Sequence, residues 1–281
     1  MKKKLGFYPG CSLEGTAREY NESVTSLAKL FDIELEAVPD WNCCGASSAH
    51  NLNKTLSLAL PARVLAQAEK AGMKELLVPC AACSNRLMTT QHELFENPAL
   101  KKEIEETMGM PLPHPIRILN AIQFIQEYIA PELPNKTVNA FNKKVACYYG
   151  CLLVRPHDIL QFDRPEDPQS MDDVMKLLGA EPIDWPFKAE CCGAGLSLSR
   201  SDLIGKLSGK IVSEASERGA EVIIVACPMC HANLDMRRSA INQYTGKKLN
   251  IPVIYITQAV GMVCGLSEKD TGIGRHFVKV D

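Results

Sequence analysis

Residues 76–87 read LLVPCAACSNRL, and residues 223–234 read IIVACPMCHANL. In both stretches a short apolar run, typical of a buried strand, leads into a Cys-x-x-Cys pair and then into a segment with helical composition. Strands that alternate with helices indicate a mainly parallel β-sheet covered by helices. We therefore expect both cysteine pairs to lie where a sheet strand ends.

A second cysteine signature also occurs twice. NCCGAS begins at Asn42 and ECCGAG begins at Glu190. In the first copy a lone cysteine precedes the pair by 31 residues and Cys-x-x-Cys follows after 35, and in the second copy these spacings are 39 and 34. This order predicts a two-fold internal repeat. We place the first domain at residues 1–135 and the second at 136–281, with the polar, proline-containing segment 130–143 between their cores.

Strand and helix patterns alternate through both halves. KLGFY, ELLVP, KVACYY and EVIIVA read as strands, whereas AREYNESVTSLAKLF and LIGKLSGKIVSEASERG carry apolar residues at helical spacing. In TLSLALPARVLAQAEKAG, Pro61 predicts a kink or a late helix start. The pattern predicts an α/β fold of two similar domains, each a mainly parallel sheet flanked by helices. Metal sites are expected at the carboxyl ends of the strands.

Twelve cysteines stand out in a chain of 281 residues. With 46% hydrophobic and 23% charged residues the chain can bury a core without disulfides. Clustered cysteines in such a chain indicate metal or redox chemistry. A net charge of −2 argues against nucleic acid as the main partner. No apolar run suits a signal peptide or a transmembrane segment, so a cytoplasmic location is expected.

Five clustered cysteines in each half limit what can be bound. A structural zinc takes four ligands, and five thiolates on one divalent ion would leave a net charge of about −3 at a buried edge. An ordinary cubane cluster takes four cysteines, usually with a Cys-x-x-Cys-x-x-Cys run that is absent here. Adjacent cysteines better serve different metals of one extended cluster, and a following glycine allows close backbone approach or a positive φ. Zinc in both halves remains an alternative.

The full pattern resembles the CCG, or cysteine-rich, domain family, whose hallmark is a cysteine, a Cys-Cys-Gly and a Cys-x-x-Cys at these spacings. The resemblance covers nearly the whole chain in two complete copies, and such a chain looks like the B subunit of heterodisulfide reductase. It implies one non-cubane [4Fe-4S] cluster in each half. The implied ligands are Cys11, Cys43, Cys44, Cys80 and Cys83 in the first half and Cys151, Cys191, Cys192, Cys227 and Cys230 in the second.

The same resemblance implies a reaction. A disulfide would lie between the two clusters and be split with one electron from each, which requires no catalytic dyad of protein side chains. The chain has no GxGxxG after a strand and no ferredoxin motif, so neither a nucleotide nor a flavin is expected on it. The resemblance implies two partner proteins of the heterodisulfide reductase complex: its small ferredoxin-like subunit, which supplies the electrons, and its flavoprotein subunit, which lies upstream.

Four further residues have candidate roles. Arg155 follows Cys151 closely and is a candidate contact for an anionic substrate group, and a surface ion pair is the alternative. His231 follows Cys230 and is a candidate for orienting a ligand or giving a proton, and a satisfied helix-start histidine is the alternative. Cys147 and Cys264 match no ligand position: Cys147, on the strand before Cys151, is expected to be buried, and Cys264 is expected to be a core residue or a minor thiol.

Three other functions use the same cysteine pattern. The first is an electron-transfer subunit of a lactate or glycolate oxidation complex, which also carries two CCG domains. The second is a quinone-linked iron–sulfur subunit, which would need an amphipathic surface towards the membrane. The third is a zinc scaffold without redox activity, which metal analysis would separate from the others at once.

Overall fold

The chain forms two four-stranded parallel sheets, and the computed structural model describes residues 3–197 and 199–280. The strands of the first sheet are β1 (Lys3–Phe7), β2 (Ile33–Ala37), β3 (Glu75–Leu77) and β4 (Arg117–Leu119). Those of the second are β5 (Lys144–Tyr148), β6 (Glu181–Pro182), β7 (Val222–Val225) and β8 (Val253–Tyr255). The predicted α/β architecture with two similar parallel sheets is confirmed.

Helices connect the strands and cover both sheets. In the first half they are α1 (Gly10–Glu14), α2 (Arg18–Leu30), α3 (Ala49–Leu52), α4 (Lys54–Lys70), α5 (Ala81–Glu96), α6 (Pro98–Met108), α7 (Ala121–Phe124) and α8 (Leu133–Lys136). In the second half they are α9 (His157–Leu160), α10 (Ser170–Leu177), α11 (Ser201–Glu217), α12 (Pro228–His231), α13 (Arg238–Thr245), α14 (Ile256–Val263) and α15 (Glu268–Thr271). A π-helical turn, Ala232–Met236, joins α12 to α13.

The two sheets have the same topology. Their strand orders are β2-β1-β3-β4 and β6-β5-β7-β8, with every neighbouring pair parallel. In the first sheet Phe7 is in register with Ala37 on one side and with Leu77 on the other. Because these residues end their strands together, the loops that follow begin side by side at one edge. The sheet topology therefore brings the cysteine-bearing loops together.

Some helix boundaries differ from the sequence expectation. Pro61 lies inside α4, which begins seven residues earlier and is capped by the Asn53 side chain on the backbone N–H of Leu56. The two Cys-x-x-Cys helices begin within the motif, with Cys80 and Cys227 at the N-cap, and not after it. The first cysteine of each pair is therefore still in extended backbone and the second lies in the first helical turn.

The two halves are held together by a buried tyrosine. The ring of Tyr20, on α2, stacks on the ring of Tyr255 at a centroid distance of 4.0 Å, with the planes 3° from parallel. The Tyr20 hydroxyl lies 3.1 Å from the carbonyl oxygen of Pro79 and 3.3 Å from that of Ala226. These are the residues before the two Cys-x-x-Cys pairs, so one hydroxyl contacts both cysteine turns. Tyr20 is fully buried, which excludes water from these hydrogen bonds.

The longer segment between Cys151 and the second cysteine pair is fastened by a buried ion pair. Lys188 Nζ lies 3.1 Å from Asp172 Oδ1, and both side chains are only 4% exposed. The same ammonium contacts Asp167 Oδ1 at 3.1 Å, and Tyr149 donates a hydrogen bond of 2.6 Å to the other oxygen of Asp172. Lys188 and Asp172 are shielded from water, whereas Asp167 is exposed, so the charges of Lys188 and Asp172 depend on each other.

The segment between the halves is also structured. The predicted domain boundary between residues 135 and 136 falls inside α8, and it stays a prediction. The backbone N–H groups of Val138 and Asn139 donate to the carbonyl oxygen of Val263, so this segment packs on the second half. Within residues 3–197 and 199–280, no helix has both the length and the hydropathy that crossing a bilayer requires.

Replacing Tyr20 by phenylalanine tests the link between the halves. Tyr20→Phe keeps the ring stack but removes the single O–H donor that the carbonyl oxygens of Pro79 and Ala226 share, so we expect a loss of about 1–3 kcal/mol in the free energy of unfolding. Urea denaturation measures it. Tyr244→Phe, at a half-exposed ring, is the matched control and should stay within about 0.5 kcal/mol of wild type. Equal losses in both variants would contradict the assigned role.

Removing the buried ammonium should be more costly. Lys188→Ala leaves the buried Asp172 carboxylate without its cation, and we expect a loss of about 3–5 kcal/mol in unfolding free energy. Lys176→Ala removes a lysine whose partner Asp173 is exposed, so that control should cost less than about 1 kcal/mol. Thermal and urea denaturation of both variants would measure the difference. A loss for Lys188→Ala no larger than the control's would show that the pair is not needed for stability.

Candidate metal centres

Five thiols of the first half converge from three loops. Cys11 lies in the first turn of α1, after β1, and the adjacent pair Cys43 and Cys44 follows β2. Cys80 and Cys83 begin α5, after β3. The sulfur atoms of Cys11 and Cys43 are 3.7 Å apart, and those of Cys44 and Cys83 are 3.2 Å apart. Together these thiols line one cavity of about 260 Å³.

The second half repeats this arrangement. A cavity of about 220 Å³ is lined by five thiols, those of Cys151, Cys191, Cys192, Cys227 and Cys230. The sulfur atoms of Cys192 and Cys230 are 3.6 Å apart, as expected for the counterparts of the close pair in the first half. The structure thus brings together all ten cysteines that the sequence singled out, five at each centre.

Each set has an outer and an inner part. Cys43 and Cys191 are exposed at equivalent positions of the adjacent pairs. Cys11 is also exposed, and its counterpart Cys151 is half-buried. The other six thiols are buried: Cys44, Cys80, Cys83, Cys192, Cys227 and Cys230. Solvent and small molecules therefore reach each centre from the side of the outer thiols.

The glycine after each adjacent pair is required by the local geometry. Gly45 and Gly193 have φ of 72° and 82°, which confirms the positive φ expected at these positions. A Cβ on Gly45 would also lie 2.9 Å from Leu60 Cδ1, and one on Gly193 would lie 3.0 Å from Leu207 Cδ1. The backbone can then turn tightly enough for each glycine N–H to donate to the first sulfur of its pair, at 3.4 and 3.3 Å.

A second pair of glycines was not singled out by the sequence analysis. Gly10 and Gly150 precede the lone cysteines and also have positive φ, 63° and 68°. A Cβ there would lie 3.3 Å from the sulfur of Cys83 and 3.1 Å from that of Cys230. These glycines leave room beside a buried thiol. The matching flanks YPGCS and YYGCL carried this signal, since glycine precedes cysteine in both.

Two tyrosines that the sequence analysis also missed hold the adjacent pairs in place. The Tyr8 hydroxyl donates to the carbonyl oxygen of Asn42 at 2.7 Å, and the Tyr148 hydroxyl donates to that of Glu190 at 2.6 Å. Each acceptor is the residue directly before a Cys-Cys pair. Burial raises the pKa of both tyrosines, so both remain protonated donors. Each tyrosine stands three residues before a lone cysteine, and this match between the two repeats was the sequence signal for their shared role.

The outer thiols perturb each other's protonation. A hydrogen bond with Cys11 lowers the pKa of Cys43 to about 2, and one with Cys151 lowers the pKa of Cys191 to about 6. The same bonds raise the pKa of Cys11 and of Cys151, since each gives its proton to a neighbour. One thiolate in each outer pair is thus favoured, and thiolates are the form of cysteine that binds metals.

The chemistry of the donor set fits a cluster of several metal ions. Among the described residues, none that lines either cavity carries a charged side chain. Five thiolates in such walls need positive charge from a bound group. A tetrahedral zinc ion would leave one thiol of each set unused, and each cavity has room for several water-sized atoms. An iron–sulfur cluster would use all five thiols of a set and would fill the space in the cavity.

The two centres meet in the middle of the molecule. Cys80 and Cys227, one from each half, perturb each other across the boundary between the halves: the interaction raises the pKa of Cys80 and lowers that of Cys227. Ala82 and Met229, one from each half, line both cavities. Interactions with Cys230 and then with Cys80 hold the pKa of Cys227 well below its usual range. The two thiol cavities are therefore adjacent and share part of their walls.

Arg155 and His231 lie away from the cavity walls. Arg155 pairs with Glu166 at 2.9 Å on the surface, with its side chain 44% exposed. The His231 ring is buried against Tyr255, and its Nε2 lies 3.0 Å from the carbonyl oxygen of Val253. Neither residue is among those that line the two thiol cavities. Their direct contact with a substrate stays a prediction.

The two remaining cysteines are buried in the core. Cys147 lies on β5 and is fully buried, and burial raises its pKa well above the usual value. Cys264 ends α14 and is 8% exposed. Neither lines a thiol cavity, which agrees with their lack of a counterpart in the repeat.

Comparison with known proteins gives relatives that match over nearly their full length, including the following two. The chain is 27% identical over 99% of its length to the 8-methylmenaquinol:fumarate reductase membrane anchor subunit of Wolinella succinogenes, of which it covers 98%. It is 26% identical over 98% of its length to the B subunit of the ferredoxin/F(420)H(2)-dependent CoB-CoM heterodisulfide reductase of Methanosarcina acetivorans, of which it covers 94%. Both relatives are subunits of oxidoreductases.

A solved structure shares the fold. A hypothetical protein from Helicobacter pylori matches the whole chain with a TM-score of 0.80 at 13% sequence identity, and the chain spans 53% of that structure. At this identity the likeness concerns the fold alone.

The cysteine-rich segments themselves identify the family. Residues 5–88 and residues 145–235 each match the CCG cysteine-rich domain. Each matched segment contains one full set of five converging thiols, and the sequence resemblance is thereby confirmed. With two copies that together span more than half of its length, the chain belongs to the CCG cysteine-rich domain family.

Proposed function

We propose that this chain is the disulfide-splitting iron–sulfur subunit of a heterodisulfide reductase-type oxidoreductase. In the proposal each half holds one non-cubane [4Fe-4S] cluster on its five converging cysteines. The observation that carries it is the pair of five-thiol cavities that lie side by side, with Ala82 and Met229 lining both. The relative from Methanosarcina acetivorans, with its name and near-complete coverage, supports it.

The reaction requires two electrons and two protons. A disulfide, RS–SR′, takes up two electrons as its S–S bond breaks, and two protons then convert the thiolates to RSH and R′SH. When bound, two clusters supply one electron each, which matches this demand. The chain's own residues would supply the sulfur ligands, and they line the cavities with uncharged groups. Protons arrive from solvent on the side where Cys43 and Cys191 are exposed.

Electrons must come from another protein in this proposal. The proposed donor is a ferredoxin-like subunit, which in turn draws on a flavoprotein subunit, and the complex is proposed to be cytoplasmic. The inner thiols are buried and the outer ones are exposed, so a donor would approach each centre along the outer side. The proposed substrate is a disulfide between two small-molecule or protein-bound thiols.

A quinol-linked electron-transfer subunit is the second candidate function. The relative from Wolinella succinogenes favours it, since it is a menaquinol:fumarate reductase subunit that matches the chain end to end at similar identity. In that case the same two centres would pass electrons and no disulfide would be split. In a lactate or glycolate oxidation complex, too, the two centres would pass electrons without splitting a disulfide.

Metal analysis tests the two centres. Anaerobically purified protein should contain about eight iron ions and about eight acid-labile sulfides per chain, the content of two [4Fe-4S] clusters. Cys191→Ser removes a ligand of the second centre and should reduce iron by up to half. The Cys264→Ser control removes a buried cysteine outside both centres and should leave iron unchanged. Zinc without sulfide, or equal losses in both variants, would overturn the cluster assignment.

Activity assays separate the two candidate functions. With reduced viologen as donor we expect the protein to split the CoB–CoM heterodisulfide or a small symmetric disulfide, with two viologens oxidised for each disulfide. Cys191→Ser should abolish this activity and Cys264→Ser should retain it. If the iron-loaded protein splits no disulfide but becomes reduced by a menaquinol analogue, the quinol-linked function is correct and the disulfide proposal fails.

A further inference from the structure

The two centres share their backbone hydrogen bonds but differ in their side-chain hydrogen bonds. Gly45 and Gly193 donate in the same way to the first sulfur of each adjacent pair. The second sulfur of the pair in the second half has an additional donor. Asn233 Nδ2 lies 3.8 Å from Cys192 Sγ and 3.0 Å from the carbonyl oxygen of the same residue.

The orientation of the Asn233 amide follows from its partners. The Cys192 carbonyl can only accept a hydrogen bond, so the amide nitrogen of Asn233 must face it. On its other side Asn233 Oδ1 lies 2.7 Å from Ser197 Oγ. Asn233 is fully buried and lies in the π-helical turn after α12, where the first half has a regular α-helix. The donor is therefore held in place and shielded from water.

A second buried side chain supports the same residue. Ser208, on α11, donates a hydrogen bond of 3.0 Å to the carbonyl oxygen of Cys192 and is fully buried. Asn233 and Ser208 therefore hold the same peptide from two sides. Only Asn233 also reaches the sulfur atom.

The first half lacks both groups. Three residues after the last cysteine of Cys-x-x-Cys, the position of Asn233, it has Arg86, whose Nη2 donates to the carbonyl oxygen of Ser57. Leu60 lies beside Gly45, and Leu207 lies beside Gly193 at the equivalent place in the second half. The residues that follow them, Pro61 and Ser208, therefore occupy equivalent positions. Proline has no side-chain donor. The repeat is thus broken at both positions beside the second sulfur of the pair.

A donor to a ligand sulfur favours the reduced state of an iron–sulfur cluster. Reduction adds negative charge that spreads onto the sulfurs, and an N–H dipole pointing at one of them stabilises that charge. In a buried site this effect is larger than in water. We propose that Asn233 is a positioning residue that raises the reduction potential of the cluster in the second half, so that the two centres are inequivalent.

Solvent exposure acts in the opposite direction. Cys11 is exposed and its counterpart Cys151 is half-buried, so water stabilises added charge more in the first half. Comparing the halves with each other therefore mixes two effects. Replacing Asn233 alone changes one centre at constant exposure and isolates the hydrogen bond.

This inference rests on the proposed function, because it requires a cluster in each half. It adds the order in which the two centres take up electrons. The centre with the higher potential holds the first electron, and the other centre holds the second. A chain built from two similar domains then receives and delivers its two electrons in a fixed order.

A redox titration of the iron-loaded full-length protein, followed by EPR, tests this inference. Asn233→Leu removes the donor, and we expect the reduction step of the second-half cluster to fall at least tenfold in its equilibrium constant, about 59 mV for one electron. The reduction step of the first-half cluster should not move. Asn233→Asp keeps the size of the side chain but removes its N–H groups. This variant replaces Asn233→Leu in the titration if the leucine variant does not fold. Ser208→Ala, which loses only a carbonyl contact, should leave both steps unchanged.

The outcomes separate this inference from the proposed function. Full iron content with no shift in either Asn233 variant, or an equal shift in Ser208→Ala, would overturn the tuning role alone. Loss of iron from both Asn233 variants would show that the residue holds the centre together and would also overturn it. Wild-type protein without iron would overturn the proposed function, and the inference would fail with it.

Discussion

Five sulfur atoms from three separate loops must lie within a few ångströms of one another in each half, and the rest of the structure serves this requirement. Parallel strands that end in register start these loops side by side. Glycines with positive φ allow the tight turns, and a tyrosine hydroxyl anchors each Cys-Cys pair. Thiolates in uncharged walls cannot remain together without positive charge, so the same packing that gathers them creates the demand for metal.

The shared wall of the two thiol cavities turns two metal-binding domains into one unit. The Tyr20 hydroxyl reaches the residue before each Cys-x-x-Cys pair, and Ala82 and Met229 line both thiol cavities. A change in the packing of α2 against α14 would therefore move both centres together. This coupling is the structural reason to consider a two-electron reaction, which neither domain alone could carry out with one-electron chemistry.

The departures from two-fold symmetry are concentrated around the second centre. Lys188 and Asp172 fasten a longer segment beside it, and Asn233 and Ser208 surround the peptide of Cys192. All four side chains are buried, so each must have polar partners and each depends on the exact packing of its neighbours. The common fold provides the two centres, and these residues of the second half make the second centre different from the first.

The sequence alone determined the α/β class, the repeat and the convergence of ten cysteines, because the order of strands, cysteines and helices recurs twice and parallel strands share one edge. It also indicated Gly45 and Gly193. The tertiary structure decided what depends on residues distant in the chain: the shared wall of the two thiol cavities, the sharing of the Tyr20 hydroxyl and the donor at Asn233. Spacing within one chain segment carries no information on such contacts, because they form only when separate elements pack against each other.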